Sequence, residues 1–376
     1  MDSRTEMTDG FRKTAAGGSP SRMPFRSLKR ACCAVLASAT LAGATTIALA
    51  AKSPVAKTAT ATSSASIAAA DTSGAEPIDE VVVSGEQPGP GLWKVTKGTH
   101  VLWILGTLSP LPEKMTWRSK EVESVIAQSK EVIGQESVSP NVGFFRGISL
   151  LPSLLRARYN PNGAVLKDVL PPALYARWLR LKLAYIGNDS GMERWRPMFA
   201  AVRLYTKALE RSGLTQKSPI WPVIRTAARK NGVHVTDLTV KLDVDNPKQV
   251  IRDFNGTPRE ADVACLSATI ERLETDLGTM KQRANAWAVG DIEALAHLPF
   301  RDQVAACVDA LTSNPGLQDE VNNVRIRFRG EWLAAAERAL SRNDVTFATL
   351  PVSELMGTDG RLSKLMSDGY TVEKPK

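Results

Sequence analysis

The chain has 376 residues, 43% of them hydrophobic, a normal share for a globular core, so core size does not limit it to a small or stapled fold. Its formal net charge of +9 is basic, but the Lys and Arg are scattered among acidic residues and no basic cluster alternates with aromatics. That pattern excludes a nucleic-acid-binding surface as the reason for the charge.

Arg26, Lys29 and Arg30 stand directly before ACCAVLASATLAGATTIALA, a weakly apolar run that ends in the small triplet Ala48 to Ala50. Basic, apolar and small-residue segments in that order are the layout of a secretory signal peptide, so residues 1–50 are expected to be one and the mature protein to be periplasmic or secreted. A run of about twenty residues also suffices to cross a bilayer, and an uncleaved segment would anchor the chain to the membrane. The long basic leader leaves both Met1 and Met23 as start sites. Segment 1–50 carries seven Lys+Arg against three Asp+Glu, which leaves a mild +5 of the +9 for the rest. Residues 51–90 are dominated by Ala, Ser and Thr and are too poor in large apolar groups to offset the entropy of ordering, which predicts a disordered linker. All eight tryptophans lie from Trp93 to Trp332, so one folded domain is expected over 91–376.

LWKVTKGTHVLWIL alternates and breaks at Lys97-Gly98, which predicts a β-hairpin opening the domain. TWRSKEVESVIAQSK places Val122, Val125, Ile126 and Ser129 on one face of a helix with Thr116 as its expected cap. EVIGQES is a short strand expected to end at Glu136. Strand, helix and strand in succession suggest a βαβ-like unit. The middle is mainly helical: PPALYARWLRLKLAYIG closes at Gly187, RWRPMFAAVRLYTKALERSG at Gly213, and PIWPVIRTAARKNG leads through Asn231-Gly232 into the strand VHVTDLTV. Farther on, Gly290-Asp291 ends one helix and caps the next. DVTFATLP is a strand, TDGRLSKLMSD contains a short helix, and GYTVE is the final strand. The expected fold is therefore α/β: a central mixed sheet formed by the N- and C-terminal strand-turn motifs, with a large helical middle region.

Cys32 and Cys33 fall inside the signal segment, leaving Cys265 and Cys307. In an exported chain such a pair reads most simply as one disulfide, against two buried thiols on packed helices. DVDN at Asp243 to Asn246 lacks the Gly and final Glu of a calcium loop and reads as a loop capping the next helix. GTDG at Gly357 to Gly360 has no P-loop lysine beside it, which argues against nucleotide binding. The three histidines, His100, His234 and His297, read as surface or partly buried structural residues.

Five segments in order carry a resemblance: LWKV with its following strand and GTLSPLP, the IGQE strand end, AW followed by GDIEAL, RFRGEWLAAAERAL, and SELMGTDGRLSKLMSDGYTV. Together they resemble the TraB/GumN family, of the same superfamily as the eukaryotic Tiki proteins. The resemblance implies a metal-dependent hydrolytic centre made of two motif histidines and a glutamate, with proteolysis in the Tiki branch. Glu136 matches the glutamate, but Ser109 and Glu354 stand where the family has its histidines. Gly106, Thr107 and Gly357 would frame the pocket, and Arg329 is similar to the family's arginine, with Arg325 and Arg327 as other registers and a solvated helix face as the plain alternative.

Two functional expectations follow. In one, Ser109 and Glu354 are polar replacements lining an old pocket, hydrogen-bonded to Arg329 or water. The protein is then a binding or accessory protein of the cell envelope, with no cofactor and an unidentified envelope protein or ligand as partner. In the other, Glu136 and Glu354 hold a hard divalent cation such as Mg²⁺ beside Ser109, in a remodelled hydrolase or protease. A role in exopolysaccharide assembly rests on the GumN name alone.

Overall fold

The computed structural model describes residues 81–141, 150, 152–153, 155–243, 247–256, 259–299, 307 and 315–375. The expected signal peptide, most of the expected linker and residues 244–246 of the DVDN segment lie outside them.

The strands are β1 (Gly85–Gln87), β2 (Leu92–Lys97), β3 (His100–Thr107), β4 (Leu111–Pro112), β5 (Met115–Trp117), β6 (Glu131–Asn141), β7 (Leu214–Thr215), β8 (His234–Asp243), β9 (Val345–Pro351) and β10 (Thr371–Glu373). The helices run α1 (Lys120–Gln128), α2 (Leu166–Val169), α3 (Pro172–Tyr185), α4 (Pro197–Arg211), α5 (Ile220–Lys230) and α6 (Pro247–Asn255). They continue with α7 (Arg259–Thr275), α8 (Leu277–Val289), α9 (Ile292–His297), α10 (Pro315–Arg342), α11 (Val352–Met356) and α12 (Arg361–Ser367). Asp291 caps α9 by accepting from the Ala294 N–H at 2.8 Å, just after Gly290 ends α8 in the left-handed region.

Six strands form the main sheet in the order β10-β2-β3-β9-β6-β8. β3, β9, β6 and β8 are parallel, while β2 runs antiparallel to both β3 and β10. The hairpin closes as expected, with Lys97 opposite His100 and Gly98 at φ 59°, a conformation that favours glycine. Strand alternation sorts side chains to two faces. Leu105, Val132 and Phe347 pack with α1, α5 and α8 on one face. Leu102, Ile104, Ile133 and Ala348 pack with α10 and α12 on the other. The sheet is thus covered on both sides, which is the condition for parallel strands to be buried.

A third apolar cluster builds the helical middle, with Trp178, Leu204 and Ile270 drawn from α3, α4 and α7. Its polar anchor is Arg196, which donates to Asp262 in two bonds of 2.6 and 3.0 Å and to the Phe254 carbonyl at 3.0 Å. Burial pushes the Asp262 carboxyl above the ordinary aspartate range, outweighing the downward pull of the guanidinium. Cys265 of α7 is bonded to Cys307, 42 residues later, as the disulfide expectation held.

Three sequence expectations need correction. Residues 81–90 are folded rather than part of a linker: Val83 packs against the sheet-side core and β1 pairs with β5. Thr116 is not a helix cap, because it lies in β5 opposite Glu86; the residue before α1 is Ser119. β6 does not stop at Glu136 but continues to Asn141, paired with β8 alone beyond Ile133. Pro140 lacks an N–H, and a strand paired on one side only tolerates that loss.

Candidate functional site

Parallel α/β sheets open their crevices at the carboxyl ends of the strands. Here β3 ends at Thr107, β9 ends at Pro351, and β6 leaves β9 after Ile133. The departure is a β-bulge, since the register with β8 shifts between Ile133 and Glu136. Asp237 fixes the bulge by accepting from the Gln135 N–H at 3.3 Å, and Arg225 holds Asp237 at 3.0 Å. A Cβ on Gly134 would lie 2.5 Å from that carboxylate and 3.1 Å from the Thr236 carbonyl oxygen, so a larger residue there would push the Asp237 side chain off the bulge.

The second motif is a compact turn. β9 runs straight into α11, and the Gly357 N–H donates to the Ser353 carbonyl at 2.9 Å to end it. The Gly357 carbonyl then accepts from Gly360 N–H at 3.0 Å and from the Ser363 hydroxyl at 3.0 Å. A Cβ on Gly360 would meet the Glu354 carbonyl oxygen at 2.3 Å, and one on Gly357 would meet the Ser353 carbonyl oxygen at 2.6 Å. Both glycines have ordinary negative φ, so closeness of backbone to backbone explains them.

Gly106 joins the first motif to the second. A Cβ there would stand 3.1 Å from Leu355 and 3.2 Å from Val352, so its absence lets β3 approach α11. The Gly106 carbonyl accepts from the buried Trp287 indole at 2.9 Å. Trp287 belongs to the AW segment of α8, which explains how that distant stretch supports the motif turn.

Between the two halves sits Arg361, the first residue of α12. Its guanidinium hydrogen-bonds and ion-pairs with Glu136, and its Nε lies 3.6 Å from Glu354 Oε2. The Arg361 backbone N–H donates to that same Glu354 oxygen at 3.1 Å. Arg361 is the buried partner, with 6% of its side chain exposed against 24% for Glu136 and 30% for Glu354. Beneath it, 5.9 Å from the guanidinium, is the ring of Trp332, whose indole donates to the Thr349 carbonyl at 3.1 Å. The arrangement is one interior cation between two carboxylates at the mouth, with a formal charge of −1.

The structure therefore brings Glu136, Glu354, Gly106 and Gly357 together. Thr107 lies half-buried at the end of β3 opposite Pro351. Ser109 is exposed on the turn after β3, and no hydrogen bond joins it to either glutamate. Arg329 is half-buried on α10, and no hydrogen bond or ion pair joins it to Glu136 or Glu354. The expectation that Arg329 balances the glutamates is corrected: Arg361 does so. Arg361 also signalled itself in the sequence, because it shares one helix face with Leu365 four residues on, and a cation in the first turn opposes the helix dipole.

These residues are a poor fit for the metal that the family resemblance implies. His100 sits at the far end of β3, about 23 Å from Thr107 at strand rise, with Nδ1 2.8 Å from the Asn343 carbonyl oxygen. His234 and His297 are exposed on other elements. Neither motif supplies an imidazole, the donor that late first-row metals favour, and both carboxylates already face a guanidinium. Among the described residues, no group of three or more His, Cys, Asp or Glu is placed to hold a metal ion.

A model of the TraB/PrgY/gumN family matches residues 91–374. The chain belongs to the TraB/PrgY/gumN family. The match starts at the β2–β3 hairpin and ends after β10, so the TraB/PrgY/gumN region takes in the whole six-stranded sheet with its carboxyl-edge site. No curated protein and no solved structure matches the chain. No helix among the described residues is long and apolar enough to cross a membrane.

Proposed function

We propose that this TraB/PrgY/gumN member is an exported, non-catalytic binding or accessory protein of the cell envelope, in which the metal-hydrolase site has degenerated. The observation that carries the reading is the ion triad, in which Glu136 and Glu354 are engaged by buried Arg361; the motif resemblance adds that Ser109 and Glu354 would stand at the positions of the family's histidines. A hydroxyl needs a general base to become a nucleophile, and among the described residues no imidazole or carboxylate is hydrogen-bonded to Ser109. A carboxylate paired with an internal guanidinium is a weakened ligand for an external cation, because binding the cation means displacing a charge already there.

Export is supported by the basic, apolar and small-residue order of residues 26–50 and by the Cys265–Cys307 disulfide, a bond that persists mainly in oxidising compartments. The unidentified partner is an envelope protein or ligand. The test of the non-catalytic reading is a panel of peptide and ester substrates with Mg²⁺, Mn²⁺ or Zn²⁺ added. The expected result is no turnover above the protein-free control. Robust hydrolysis that vanishes in Glu136→Ala or Glu354→Ala would overturn the proposal and establish the remodelled carboxylate hydrolase instead. Cell fractionation tests export, with the chain expected outside the cytoplasm.

A further inference from the structure

We infer that Arg361 is a tethered cation that fills the place of a divalent ion, and that its removal exposes a latent site for a hard cation such as Ca²⁺, Mg²⁺ or Mn²⁺. The inference rests on the reading of the motif site given above. Three observations carry it. First, the guanidinium contacts both carboxylates and so joins Glu136 on β6 to Glu354 on α11, 218 residues apart in the chain. Second, it is the interior member of the triad at 6% exposure, while the acids are partly open to solvent, as ligands around a central ion are. Third, its Nε is buried and has no hydrogen-bond partner among the described residues, lying 3.6 Å from the nearest Glu354 oxygen. A planar fork therefore leaves one donor unsatisfied between two acids, where a spherical ion has no such directional requirement.

Oxygen-only donors select hard cations and not Zn²⁺ or Cu²⁺, which favour nitrogen and sulfur. Two carboxylates brought together without a counter-charge repel each other, so loss of Arg361 destabilises the turn and a divalent ion restores it. The guanidinium is thus a positioning residue that holds the β6 bulge against the α11–α12 turn.

The experiment is thermal unfolding of the full mature chain, with and without millimolar CaCl₂, MgCl₂ or MnCl₂. The wild-type Tm is expected not to move with any of the salts beyond a matched NaCl control. Arg361→Ala is expected to melt lower, and to gain roughly 3–6 °C when the cation is at about ten times its dissociation constant. Arg361→Ala with Glu136→Gln is expected to lose that gain. Should Arg361→Ala not fold, Arg361→Met keeps an apolar stem over Trp332, and refolding yield with and without CaCl₂ is the readout, with recovery expected only with the cation.

An inert wild type with variants that no cation rescues would overturn this inference and leave the proposed function standing. A wild type stabilised by a cation through Glu136 would overturn both. Rescue that survives Glu136→Gln would place the cation elsewhere and overturn the inference alone.

Discussion

Gly360→Ala is the most direct probe of the second motif's architecture. The added methyl would lie 2.3 Å from the Glu354 carbonyl oxygen, 2.9 Å from the Glu354 carbonyl carbon and 3.0 Å from the Gly357 carbonyl oxygen. All three are backbone atoms, so no flexible side chain can swing aside. The φ of −69° is open to alanine, and the cost is therefore steric. Overpacking of this kind costs about 1–3 kcal/mol, and rigid neighbours put this site near the upper end, about 3 kcal/mol. At roughly 2–4 °C per kcal/mol, the expected fall in Tm is about 6–12 °C. The matched control is Gly330→Ala on α10, where a Cβ meets nothing within 4 Å and helix propensity favours alanine by about 1 kcal/mol. The same chemical change should therefore lower Tm at 360 and raise it at 330. Urea or thermal denaturation of both variants reads the two signs. A Gly360→Ala protein as stable as wild type would refute the close-packed turn.

Three further outcomes follow from other parts of the fold. Asp262→Ala leaves the Arg196 guanidinium buried and unpaired and should cost about 3–5 kcal/mol in denaturant midpoint analysis, where a change under 1 kcal/mol would show the pair to be solvated. Reduction of Cys265–Cys307, or replacement of both by alanine, should remove about 4 kcal/mol by the chain-entropy estimate for a separation of 42 residues, measurable as a lower Tm in dithiothreitol. The Arg177 hydrogen bond, aided by Arg180, lowers the Glu274 carboxyl below its ordinary range. Its contribution is therefore present above the unfolded carboxylate range and lost as pH falls through the lower folded value. Because Arg180 is largely exposed and Arg177 partly so, the effect should stay below about 1 kcal/mol, and Glu274→Gln should flatten that part of the acid-side stability curve.

The elements with strong periodicity were legible in the sequence because local signals and packing agree. The hairpin turn at Lys97-Gly98 and the Gly290-Asp291 helix junction are set by backbone conformations that those residues favour. What escaped depends on distant pairing. β1 is a strand because it lies beside β5, and nothing local in GEQ announces it. The tail of β6, ESVSPN, reads as a loop with its serines and proline, yet β8 supplies the pairing that keeps it extended.

The site divides in the same way. Glu136, Glu354, Gly106 and Gly357 were found through ordered motifs, and the fold brings them to one sheet edge. Arg329 was expected as their counter-charge from its resemblance to the family's arginine, and that motif, with three arginines in VRIRFRG, says nothing of which face of the helix meets the site. Arg361 supplies that charge because the Gly357–Gly360 turn places the first residue of α12 between the acids. Its position on the buried face with Leu365 was the available clue.

The most direct measurement of the central claim is metal content per chain of purified mature protein by mass spectrometry, beside the Glu136→Gln variant. Metal is expected far below one ion per chain in both, because the Arg361 guanidinium already pairs with Glu136 and Glu354. One tightly bound ion per wild-type chain, absent from Glu136→Gln, would contradict it.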